Sequence, residues 1–64
     1  MPYQAVVFWT QGMRKMQEKF PPTEWIGVAI KQANAKMYYL RTKYPRMKPH
    51  ANILKDGLLH QIIA

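Results

Sequence analysis

Prolines set the limits of what this chain can fold into. Pro21-Pro22, Pro45 and Pro49 cut it into three pieces, about 3–19, 24–43 and 50–63. Proline has no N–H to donate, clashes inside a helix and restrains the residue before it, so no regular element runs through those points. The chain must therefore build its core from short elements joined by short links.

Its length of 64 residues supports one domain, 1–64. A chain this short buries only about 60% of the surface that its unfolded form exposes. Folds of this size usually lean on a disulfide, a metal or a partner. Cysteine is absent, which removes disulfides and thiolate zinc sites together. His50 and His60 stand ten apart, off the i, i+3 or i, i+4 spacing of a helical metal pair, so no metal site is expected. Serine is also absent, which excludes a serine triad as the missing cysteine excludes a thiol one. Glu18, Glu24 and Asp56 fall on separate pieces, and a chain with so small a core has little left for a catalytic cleft. Gly12, Gly27 and Gly57 stand singly and make no phosphate loop. The expectation is a protein without catalytic residues or a cofactor, and not an enzyme.

The middle piece gives the plainest structural signal. Ile26, Ile30, Ala33, Met37, Leu40 and Tyr44 recur at spacings of 4, 3, 4, 3 and 4. That is one face of a helix, predicted over 24–43, with Thr23 as a capping hydroxyl and Glu24 in the first turn. Trp25, Val28, Gln32, Ala35 and Tyr39 form a second stripe at 3, 4, 3 and 4, on another side of the same helix. A helix apolar on two sides has two neighbours.

The first piece supports two readings. Tyr3–Thr10 is rich in Val, Phe, Trp and Tyr, which suits a strand. However, Val6, Trp9, Met13, Met16 and Phe20 recur at 3, 4, 3 and 4, and Ala5–Trp9 does not alternate, so the periodicity favours a helix over 3–19. In the third piece Leu54, Leu58 and Ile62 stand four apart and again favour a helix, over 50–63. Asp56-Gly57 is a turn signal inside it, but Ile53-Leu54 and Leu58-Leu59 lack the alternation of a hairpin. The expected fold is all-α, an antiparallel helical hairpin followed by a short C-terminal helix.

Charge is the remaining constraint. Ten Lys and Arg oppose three Asp and Glu, for a net charge of +7. From Trp25 to Lys55 there are seven basic residues and no acid, most densely over 36–48, where Tyr38, Tyr39 and Tyr44 are interleaved. Basic side chains neutralise phosphates, and aromatic faces stack on bases. The 48% apolar content is too high for a disordered tail. No run approaches the ~20 apolar residues of a membrane span. The N-terminus has no basic region of a secretory signal, so an intracellular or organellar setting is expected over secretion.

More apolar surface than a three-helix arrangement can cover points to a partner. The favoured expectation is a small basic accessory subunit docked on a larger assembly, such as a mitochondrial or other organellar membrane complex, or a ribosome. Val7, Phe8, Trp25, Val28 and Tyr39 are its expected protein-docking residues. Lys36, Arg41, Lys43, Arg46 and Lys48 are expected to face an acidic protein, lipid headgroups or RNA. The alternatives are a small nucleic-acid-binding protein using 36–48 and a phage-type inhibitor of a larger enzyme.

Overall fold

A computed structural model describes residues 2–63. The elements in chain order are β1 (Tyr3–Gln11), β2 (Arg14–Lys19), α1 (Ile26–Lys43), β3 (His50–Lys55) and β4 (Leu58–Ile63). The strands form one antiparallel sheet in the order β2-β1-β3-β4. The helix lies over the two central strands. This overturns the expected all-α arrangement: only the middle piece is helical, and each outer piece is a β-hairpin.

Glycine placement explains the hairpins. Gly12 has φ +64° at the first position of the two-residue turn Gly12-Met13. Asp56 and Gly57 have φ +53° and +81°, so both turn residues take the left-handed conformation that a tight hairpin with the right twist demands. Asp-Gly is the residue pair that most readily accepts it.

The apparent helical seam of the first piece has a different origin. Trp9 and Met16 face each other across β1 and β2. Val6 points to the opposite side of the sheet from Trp9, and Met13 sits fully exposed in the turn. Trp9 and Met16 are thus cross-strand partners and not successive turns of a helix, and Val6 and Met13 share no face with them. The unbroken apolar run Ala5–Trp9 reflects the central place of β1. Ala5 and Val7 are buried beneath the helix, while Val6 is buried on the other face between Lys19 and Asn52 of its two neighbours. A strand flanked on both sides reads as a continuous apolar run.

Helix α1 starts two residues later than expected. Trp25 is its N-cap and makes no side-chain cap, and the first turn carries no acid. Thr23 exchanges backbone hydrogen bonds with Tyr3, its N–H donating to the Tyr3 carbonyl (2.8 Å) and accepting at its own carbonyl from Tyr3 N–H (2.6 Å). The Thr23 hydroxyl accepts from Trp25 N–H at 3.3 Å. The link therefore docks onto the start of β1 before the helix begins.

The core is a single cluster. Ala29, Ala33, Met37 and Leu40 from α1 pack with Ala5 and Val7 of β1, Ala51 and Ile53 of β3, and Met47 from the helix–β3 link. Tyr3, Trp9, Phe20, Ile26, Ile30 and Ile63 pack around it, half-buried. No helix among the described residues is long and apolar enough to cross a membrane.

Two glycines should respond in opposite senses to alanine. A Cβ at Gly27 meets nothing within 4 Å. Gly27→Ala is therefore expected to stabilise the fold by about 0.5–1 kcal/mol in urea unfolding. Gly57→Ala places a side chain at φ +81° and is expected to destabilise by about 1–2 kcal/mol. Equal effects at the two positions would contradict this account of the turn.

Candidate functional site

The fold gathers cations that are dispersed in the sequence. Because β1 and β3 are antiparallel, the end of β1 and the Gly12 turn lie beside the start of β3 and the link that leaves α1. Arg14 and Lys15 come from the start of β2, Lys43 from the last helical turn, and Arg46 and Lys48 from the link. All five are exposed at one end of the molecule. Glu18 pairs elsewhere, and Glu24 and Asp56 belong to the link before α1 and the β3–β4 turn, at the opposite end.

Two open grooves flank the hairpin tip, and Thr10 borders both. On the helix side a groove of about 610 Å³ is lined by Lys43, Tyr44, Arg46 and Gly12. On the sheet side a groove of about 310 Å³ is lined by Phe8, His50, Lys15 and Lys48. Phe8 and His50, cross-strand partners of β1 and β3, stack with ring centroids 5.2 Å apart and planes 15° from parallel. The sheet-side groove thus combines a ring stack, half-buried at Phe8 and exposed at His50, with two lysines.

Lys48 itself has φ +49°, in the left-handed region that non-glycine residues rarely enter. It stands between the buried residues Met47 and Pro49, which fix the link and leave its side chain exposed. Such strain costs on the order of 1 kcal/mol or more.

The basic residues expected from sequence divide into groups. Lys36 is used inside the fold. Its ammonium lies 3.6 Å from Glu18 and sits over the rings of Trp9 (5.3 Å) and Tyr39 (5.4 Å). It thereby ties the helix to β1 and β2, and Glu18 pairs with it and not with Arg14 or Lys15. Arg41 is exposed on the last helical turns and has an interaction within the protein. Lys43 donates to the Tyr39 hydroxyl at 3.0 Å and lies 5.7 Å over the Tyr44 ring. Arg14 and Lys15 were not anticipated, because only the Gly12 turn brings them to the link.

The expected docking residues also separate. Val7 is fully buried under the helix, and so faces no partner. Phe8 is on the other side of the sheet, in the stack with His50. Trp25 and Val28 remain exposed, 67% and 43%, beside a groove of about 590 Å³. Gln32, between them and Tyr39, has a buried amide oxygen with no hydrogen-bond partner. Among the described residues no group of three or more His, Cys, Asp or Glu could hold a metal ion.

No family model, curated protein or solved structure matches the chain.

The Lys43–Tyr39 contact makes a spectroscopic prediction. The donated hydrogen bond and the positive charge of Lys43 lower the pKa of Tyr39, and the same pair raises that of Lys43. In an ultraviolet titration one of the four tyrosines is expected to ionise ahead of the others as pH rises. Lys43→Met should abolish that early step, and an unchanged titration would show that the contact does not form in solution.

Proposed function

We propose that this protein is a non-enzymatic binder of single-stranded nucleic acid, held at the basic end. The observation that carries the reading is the gathering of Arg14, Lys15, Lys43, Arg46 and Lys48 at one end of the molecule, where Lys15 and Lys48 share the sheet-side groove with the Phe8–His50 stack and Lys43 and Arg46 line the helix-side groove. Cations gathered at one end neutralise phosphates and release their counterions. The exposed His50 end of the ring stack gives an unpaired base a surface on which to lie, with little demand on its identity. A duplex hides its base faces, so the aromatic part of the site favours a single strand.

Docking to a larger protein is the second reading, supported by exposed Trp25 and Val28. The fold takes Val7 out of that surface and ties Tyr39 to Lys43, whereas it adds Arg14 and Lys15 to the basic end. The balance of observations favours nucleic acid.

Fluorescence anisotropy with a labelled single-stranded oligonucleotide tests the proposal across a salt series. Affinity is expected to fall linearly on a log–log plot, and each of Arg46→Gln and Lys15→Gln should shallow the slope by roughly 0.7. His50→Ala should weaken binding by about 1–3 kcal/mol with little change in slope. Lys48→Gly is the most diagnostic variant. It removes a charge and relieves a left-handed backbone, so stability should hold or rise by up to about 1 kcal/mol while binding weakens. Binding that ignores all four substitutions, or that prefers a duplex, would overturn the reading.

A further inference from the structure

The two edges of the sheet are treated differently. β2 carries Arg14, Lys15, Glu18 and Lys19, and charges on an edge strand discourage pairing with another chain. β4 reads Leu-Leu-His-Gln-Ile-Ile and holds no Lys, Arg, Asp or Glu. Leu58, Leu59 and Ile62 are 74%, 59% and 67% exposed. We infer that β4 pairs antiparallel with β4 of a second copy of this chain.

The register of β4 makes the strand self-complementary. Leu58 and Ile63 lie opposite Lys55 and Ala51, and Gln61 lies opposite Ile53, which places all three on the helix side of the sheet. Leu59 and Ile62 lie opposite Leu54 and Asn52, on the uncovered side. The irregularity between Ile53 and Leu54 adds His60, whose ring meets Tyr3 of the helix side at 5.5 Å. From Leu58 to Ile63 the sides therefore read helix, open, helix, helix, open, helix. That order is the same in reverse. A copy turned about a two-fold axis between His60 and Gln61 sets Leu58 against Ile63, Leu59 against Ile62, and His60 against Gln61. Each pair shares a side of the sheet, as antiparallel partners must. Without the irregularity, apolar residues would meet on opposite sides and the match would fail.

Self-complementarity selects a second copy, and charge selects its antiparallel orientation. Each chain carries +7, and a parallel arrangement would set two basic ends side by side. The two-fold axis sends them to opposite extremes of an eight-stranded sheet and brings the Asp56 turn of each chain toward the basic half of the other. A single strand supplies fewer than the roughly 20–30 residues a side of a standard interface, so the dimer is concentration-dependent. The inference stands independently of nucleic-acid binding.

Analytical ultracentrifugation of the full chain tests it between about 10 μM and 1 mM. Mass should rise from the 7.6 kDa monomer toward the dimer. The transition should move to lower concentration in high salt, because screening weakens repulsion between like-charged copies. Leu59→Lys and Ile62→Lys alter exposed positions, and each should weaken association by about tenfold or more. Trp25→Lys, on the helix stripe, should not change it. Amide exchange on the unaltered protein gives a second measurement, in which protection at 58–63 rises with concentration while that of β2 does not. A chain that stays monomeric near 1 mM in high salt overturns the inference. So does a dimer that ignores both β4 variants, is lost in Trp25→Lys, or leaves β4 exchange unchanged.

Discussion

Close approach between one helix and two strands governs the rest of the molecule. Ala29 and Ala33 on α1, Ala5 on β1 and Ala51 on β3 have no exposed surface and belong to one cluster. Small side chains let the helix backbone settle near the sheet, and Val7, Ile53, Met37 and Leu40 fill the space around them. Close-packed interiors tolerate few voids, so this geometry leaves the helix one seat. The helix is thus spent on β1 and β3. Both outer strands extend beyond it and need cover from somewhere else.

For β2 that cover is polar. Lys36 reaches from the half-buried flank of the helix to Glu18 and lays its ammonium over Trp9. The ion pair is partly exposed and contributes at most about 1 kcal/mol. Its larger effect is geometric, since the aliphatic stem and the Trp9 ring close the side of the core that β2 leaves open. Using Lys36 this way removes it from any anion-facing surface. Five other cations, Arg14, Lys15, Lys43, Arg46 and Lys48, gather at the end where the chain reverses at Gly12 and again after Lys43. Like charges gathered in one place cost stability. The left-handed Lys48 adds to that cost. Neither feature helps the core, and the proposed binding role would account for both.

How much of this was legible depended on the range of the contacts involved. Helix α1 was readable to within two residues at its start and ended as expected at Lys43, because its buried stripe is written in consecutive turns. The hairpins were misread because a cross-strand pair seven apart, Trp9 and Met16, together with the turn residue Met13 between them, has the same spacing as two turns of a helix. Glycine chemistry was the better guide there: Asp56-Gly57 was recognised as a turn but given less weight than the spacing of Leu54, Leu58 and Ile62. The same choice hid part of the site. Lys43, Arg46 and Lys48 were found as a run in sequence, whereas Arg14 and Lys15 join them only once Gly12 is allowed to turn the chain. Val7 and Phe8 were taken as one patch, yet adjacent strand residues face opposite ways, and one went to the core and the other to the stack.

Segregation of charge also decides what the other edge can do. Helix stripe, link and β2 hold most of the basic residues, and β4 is left without any. A chain at +7 with evenly spread lysines would repel a second copy at every approach. Here the repulsion is directional, strongest at one end and weakest along β4, an edge strand of the sheet among the described residues. Leu59 and Ile62 lie on the face opposite α1 and are exposed among the described residues. The physical consequence is that the two proposed contacts would respond oppositely to salt, since screening weakens attraction between cations and phosphates and also weakens repulsion between like-charged copies. Conditions that silence the one proposed contact would therefore favour the other.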